Sequence, residues 1–227
     1  MDPTVSSASA AVATDGQADY ALGGDYFVHP TPAGTYFAVS RPEDDASRRF
    51  LQGLLAQAST PALTVEALKD ATGRDEQGAL ALLHDLQQAG LIQGLPQAMQ
   101  APAEPDGTLL PALLSQLSDE GRAVLGDAGG LMMAAVGFKH AHSEQVAALC
   151  ADLAGLQRRH AALRAQMGLV SDGWGLVSAA GYSELSFWPL YVGASRFHLV
   201  VAGQPRFNQQ AYTRLAWALA QRHAART

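Results

Sequence analysis

The sequence predicts a mixed α/β (α+β) chain built from two successive units, and three observations carry that reading. A proline-punctuated stretch, Pro96 to Gly107, reads PQAMQAPAEPDG and falls between two segments that each have their own apolar patterning. Leucines at helical spacing dominate the first segment. The second alternates short apolar strands with one long helical repeat.

A chain of 227 residues that is 48% hydrophobic and 16% charged can bury a real core and is not disordered by composition. Its one cysteine, Cys150, excludes an internal disulfide framework and fits a reducing compartment. The opening MDPTVSSASAAVATDG has neither the basic region nor the apolar stretch of a secretory signal. No window approaches the roughly 18 apolar residues of a membrane span. No membrane insertion and a cytoplasmic location are therefore expected. Charge is uneven: residues 1–110 carry 5 Lys+Arg against 14 Asp+Glu, a balance of −9, and residues 111–227 carry 10 against 7, a balance of +3. An acidic first half repels nucleic acid and anionic lipid.

Residues 1–19 are small and polar and are expected to be a disordered tail. DYFVHP and TYFAVS then read as a β-hairpin around a turn with Pro32 and Gly34. A helix is predicted from about Glu43 to Gln57, with acidic residues at the positive end of its dipole. Thr64 is placed to cap a short helix that Gly73 ends, with Leu63 stapling to Leu68. A second helix runs from Asp75 to Ala89 with Leu80, Leu83 and Leu86 on one face, and Gly90 supplies its left-handed stop.

Short helix, glycine turn, longer helix and a closing AGLI resemble the winged-helix-turn-helix family over residues 20–95. The resemblance puts the recognition position on residues 75–89. Its outward side chains, Asp75, Glu76, Gln77, Ala81, His84, Asp85 and Gln88, include three carboxylates and no Lys or Arg. A DNA reader needs cations for phosphates and usually for guanine edges, so a protein-docking or structural role is the expectation.

After the linker, 96–108, an apolar helix is read from Leu109 to about Leu117. RAVLGDAGGLMMAAVGF follows as two strands around Asp127-Ala128-Gly129-Gly130, with Leu131–Val136 expected to be covered on both faces. Ser143 is the expected N-cap of a long helix in which Val146, Leu149, Leu153, Leu156, His160, Leu163 and Met167 form a narrow seam. Gly168 ends it. Three strands, Trp174–Ser178, Tyr182–Tyr191 and Arg196–Ala202, turn near Gly181 and Gly193. Asn208 is placed to cap a last helix, with Phe207 stapling to Tyr212.

This order of elements over residues 109–227, and above all AVLGDAGGLMMAAVGF and FHLVVAG before a closing helix, resembles the roadblock/LC7 (dynein light chain, MglB-like) family. The long middle helix and the tryptophans at 174 and 188 depart from the compact family pattern. The resemblance implies a three-layer domain with a five-stranded, mostly antiparallel sheet. It also implies a homodimer formed by extending that sheet and packing the middle helices, and a scaffold for small Ras-like GTPases, motor complexes or other regulatory assemblies. Self-association would then use Leu149, Leu153, Leu156, His160 and Leu163.

No chemical motif competes with that reading. His140, His142 and Cys150 lack a further ligand at metal-site spacing. No Gly-x-Ser-x-Gly elbow, Gly-x-x-x-x-Gly-Lys-Ser/Thr loop or Gly-x-Gly-x-x-Gly turn occurs. Cys150 inside a helix reads as a small buried hydrophobe. Arg158 and Arg159 could meet a partner, as GTPase-activating arginines do, or form a solvated face. Two His160 side chains meeting across a dimer axis would make assembly pH-sensitive. The expectation is a non-enzymatic homodimeric adaptor without cofactor or metal. The alternative is a winged-helix transcriptional regulator with a roadblock-like dimerisation domain.

Overall fold

The computed structural model describes residues 20–42, 44–169 and 171–223, so the expected tail 1–19 lies outside the described residues. The first strand, β1 (Phe27–Pro30), is followed directly by a helix, α1 (Pro32–Val39). TYFAVS is thus helical and not the second arm of a hairpin. Thr31 caps this helix by accepting from Gly34 N, and Pro32 at the first helical position arrives with its φ already set. Those start signals outweigh the β preference of Tyr36, Phe37 and Val39.

Helix α2 (Ala46–Leu55) starts later than expected, with Asp45 as its cap; Glu43 lies outside the described residues. Helix α3 (Val65–Thr72) is capped by Thr64 and stopped by Gly73 at φ 65°. Helix α4 (Glu76–Gln88) is capped by Asp75. The chain then forms β2 (Ile92–Leu95), which pairs antiparallel with β1, Phe27 opposite Leu95.

The segment that reads as a linker is stapled down. Thr60 N–H donates to Met99 O, and Ala101 N–H to Ala58 O, both at 2.9 Å. The Arg222 guanidinium reaches Pro102 O, Glu104 O and the Asp106 carboxylate. Helix α5 (Asp106–Leu114) begins inside the stretch. Prolines removed donors here, but the carbonyls of Met99, Pro102 and Glu104 accept from outside the stretch.

Next come β3 (Ala123–Asp127) and β4 (Met132–Val136), helices α6 (His140–Arg159) and α7 (Ala161–Gln166), and strands β5 (Trp174–Val177), β6 (Ser183–Val192) and β7 (Ser195–Ala202). Helix α8 (Gln210–Arg222) closes the order. The strands form one antiparallel five-stranded sheet, β4-β3-β7-β6-β5. Alternation divides its faces. Ala123, Leu125, Leu199 and Val201 join the core under α5 and α8, while Val124 and Val200 pack with Ala147 and Cys150 of α6. β4 is an edge, so only Ala134 of its residues is buried and Leu131 before it is 70% exposed; the expected cover on both faces is absent.

Two caps differ from expectation. Ser143 does not start α6, which begins at His140; Ser143 is buried a turn inside and its hydroxyl donates back to Lys139 O at 3.2 Å. Gln209, without a side-chain bond, precedes α8 in place of Asn208, although Phe207 and Tyr212 do stack at 4.8 Å.

One continuous core runs from Val28, through α2, α4 and α5, to Leu219 of α8. Across it the buried hydroxyls of Thr35 and Thr213 bond at 3.0 Å, and Trp217 Nε1–H donates to Gln57 O at 2.7 Å. Gln52 donates to Ala38 O and Tyr191 O and accepts from Gly193 N–H. Closure depends on a close approach at Gly34, where a Cβ would lie 1.8 Å from Leu91 O. Gly34→Ala is expected to cost about 3 kcal/mol or more, since backbone cannot yield as a side chain does; urea unfolding of the variant measures it.

Two buried histidines, His29 and His198, predict an acid-sensitive fold. Burial lowers His29 and His198 from 6.5 to about 4; at His198, Arg196 and Arg158 act in the same direction and Asp127 against it. Between those values the unfolded chain binds protons that the folded chain refuses, so stability is fully present above pH 6.5 and is lost as pH falls toward 4. Each ring contributes about 1.4 kcal/mol per pH unit in that window. Urea midpoints from pH 7 to 5 are expected to fall accordingly. A flat profile would show that both rings charge freely in the folded state.

Candidate functional site

The face formed by α6, α7 and β5 is where apolar side chains meet solvent. The buried side of α6 is Ser143, Ala147, Cys150, Ala154 and Gln157, one step round from the leucine seam. The reason is proximity to the sheet: a Cβ on Gly126 would be 3.3 Å from Ala147 Cβ, and one on Gly130 would meet Ala151 Cβ at 3.0 Å. Only small residues let the helix lie this near the β3–β4 turn, so the leucines are displaced to its flank.

Each seam residue therefore has its own place. Leu153 is half-buried against the small core under α6, and Leu149 is 43% exposed. Leu156 is half-buried, His160 is exposed at the break between α6 and α7, and Leu163 is 53% exposed on α7. Leu156, His160 and Leu163 come together with Leu169 and Trp174 around an apolar groove of about 780 Å³ between α7 and β5. Arg158 and Arg159 are exposed in the last turn of α6, where cations favour the negative end of its dipole.

β5 bounds the groove and the sheet. All four of its residues are exposed, Trp174 at 43% and Leu176 at 57%, and it pairs with β6 alone. An edge strand with free backbone groups and apolar side chains is a template for pairing with another chain. Asp172, just before it, was not singled out by the sequence; its carboxylate accepts from Arg164 of α7 and Tyr191 of β6, and its backbone carbonyl from Gln157 of α6, and no motif marks a residue held this way.

Reactive groups are elsewhere and subdued. Cys150 is buried, and desolvation pushes its thiol up to about 12, with Arg196 opposing, so it is no nucleophile near neutral pH. His140 and His142 are exposed in the first turn of α6, where His140 pairs with Glu144 at 3.4 Å. Among the described residues no three His, Cys, Asp or Glu side chains gather as a metal site. No helix among them is long and apolar enough to cross a membrane. On α4, Asp75, Glu76 and Asp85 are exposed, and the His84 ring is packed by Tyr20 at 4.7 Å.

No protein-family model matches the sequence, and no curated protein matches it. About half of the chain is similar to two solved structures. One is a roadblock/LC7 domain from Streptomyces avermitilis, at 17% identity and a TM-score of 0.34 over 52% of this chain and 92% of that one. The other is Myxococcus xanthus MglB, at 19% identity and a TM-score of 0.30 over 53% of this chain and 87% of that one. The helices and two-stranded sheet of the N-terminal half remain unassigned.

Proposed function

We propose that this chain is a non-enzymatic scaffold that self-associates through the α6–α7 face and the free edge of β5. The observation that carries the reading is β5 itself, an apolar edge strand whose four residues are all exposed, beside an apolar groove. Such a surface is costly to leave in water and is completed by a second copy, sheet edge to sheet edge and helix to helix. Its protein client, by the roadblock resemblance, is a small Ras-like GTPase, with Arg158 and Arg159 at the rim as candidate contacts. The acidic, partly covered face of α4 speaks against the DNA-binding alternative.

Light scattering coupled to size exclusion is expected to give a dimer at about 50 µM; a clean monomer there would sink the reading. Affinity capture with the full chain, in GTP-analogue and GDP conditions, is expected to enrich a small GTPase. Capture without any GTPase would remove that client while leaving the dimer standing.

A further inference from the structure

Helix α7 has no buried residue, and β5 is exposed throughout, so neither is held in place by core packing. Helix α7 is tied instead to Asp172, and β5, which ladders to β6, begins two residues after it. Its Oδ1 pairs with Arg164 Nη1 of α7 at 2.9 Å, and its Oδ2 accepts from the Tyr191 hydroxyl of β6 at 2.7 Å. Its backbone carbonyl accepts from Gln157 Nε2 of α6 at 2.5 Å, while Arg164 Nη2 donates to Ser171 O at 2.5 Å. Gln157 is buried, and the Arg164 and Asp172 side chains are only 17% and 22% exposed. Charge-assisted bonds shielded to that degree are screened far less than a surface pair. A single residue thus joins three elements at the foot of the groove.

We infer that Asp172 is the positioning residue of the self-association face: it fixes α7 and the start of β5 in the arrangement a second copy must recognise. The inference rests on the scaffold reading. The hydrophobic core does not depend on it, so its removal separates assembly from folding.

The test uses the full chain as wild type, Asp172→Ala, Asp172→Asn and Arg164→Gln. Three quantities are read: the melting temperature, hydrogen exchange across residues 161–177, and the dimer dissociation constant by sedimentation velocity. Asp172→Ala is expected to keep a cooperative melt, lose exchange protection in that segment, and weaken the dimer by about tenfold or more. Asp172→Asn, which retains one acceptor, is expected to fall between it and wild type. Arg164→Gln should follow the alanine variant in direction, which keeps the role testable if Asp172→Ala does not fold. A dimeric wild type whose folded Asp172→Ala variant dimerises equally well, with unchanged exchange, overturns the role of Asp172 alone. A wild type that is monomeric at every concentration overturns the scaffold reading first, and this role with it.

Discussion

A fragment spanning residues 109–227 is expected to show no cooperative thermal transition, although it contains the whole five-stranded sheet. Helix α8 is buried along much of its length, and part of what buries it is α1 and α2 of the first half. Cutting before residue 109 strips Thr213 of its Thr35 partner and Trp217 Nε1 of Gln57 O, and opens the indole to water. Exposing a tryptophan-sized surface of about 200 Å² costs about 5 kcal/mol by itself. That is comparable with the whole net stability of an ordinary domain, about 5–15 kcal/mol. Circular dichroism and calorimetry on the fragment and the full chain decide the matter. A cooperative melt of the fragment close to that of the full chain would show that 109–227 is an autonomous domain, with the first half merely docked on it. Until then, oligomeric state is best measured on the intact protein.

Replacing Leu156 and Leu163 together by Asp is expected to turn the dimer into a folded monomer. Leu163 is more than half exposed and Leu156 lines the groove, so neither charge enters the core of its own chain. In a dimer both would be desolvated, a cost of several kcal/mol. A shift of about 2.7 kcal/mol already weakens association about a hundredfold. Leu153→Asp is the contrasting control. It lies half-buried against Val124, Phe187 and Val200, and should lower the melting temperature whatever the oligomeric state. If the double variant keeps both its dimer and its melting curve, the α6–α7 face is not the interface, and attention moves to the other sheet edge, β4.

Much of this architecture is legible in the residues. The helix-stop glycines at 73, 90 and 168 and the turn glycine at 181 all have positive φ, and the cap at Thr64 forms as its side chain dictates. The five strands of the second half fall within a residue or two of where apolar runs and turn glycines place them. What was not legible depends on long-range contact. TYFAVS has strand-like residues, yet Thr31 and Pro32 start a helix that α2 and α8 then bury. The leucine seam is a true periodicity, but the side of α6 turned to the sheet is chosen by the close approach of Ala147 and Ala151 to Gly126 and Gly130, where a leucine would not fit. For the same reason the periodicity locates the candidate interface and misses its support. Asp172 has no pattern of its own, and its partners come from positions 157, 164 and 191.

The chain has three tryptophans, and each is in a different environment. Trp174 stands in solvent on β5. Trp188 meets Phe207 edge-on at 5.1 Å, and Trp217 is enclosed between the halves with the His29 ring 4.8 Å away. The protein therefore carries three optical labels of its own. Emission from Trp174 reads the exposed sheet edge, emission from Trp188 reads the aromatic packing at the sheet, and emission from Trp217 reads the closure of one half on the other. Replacing the exposed Trp174 alone separates the edge signal from that of the two packed labels, without a foreign dye.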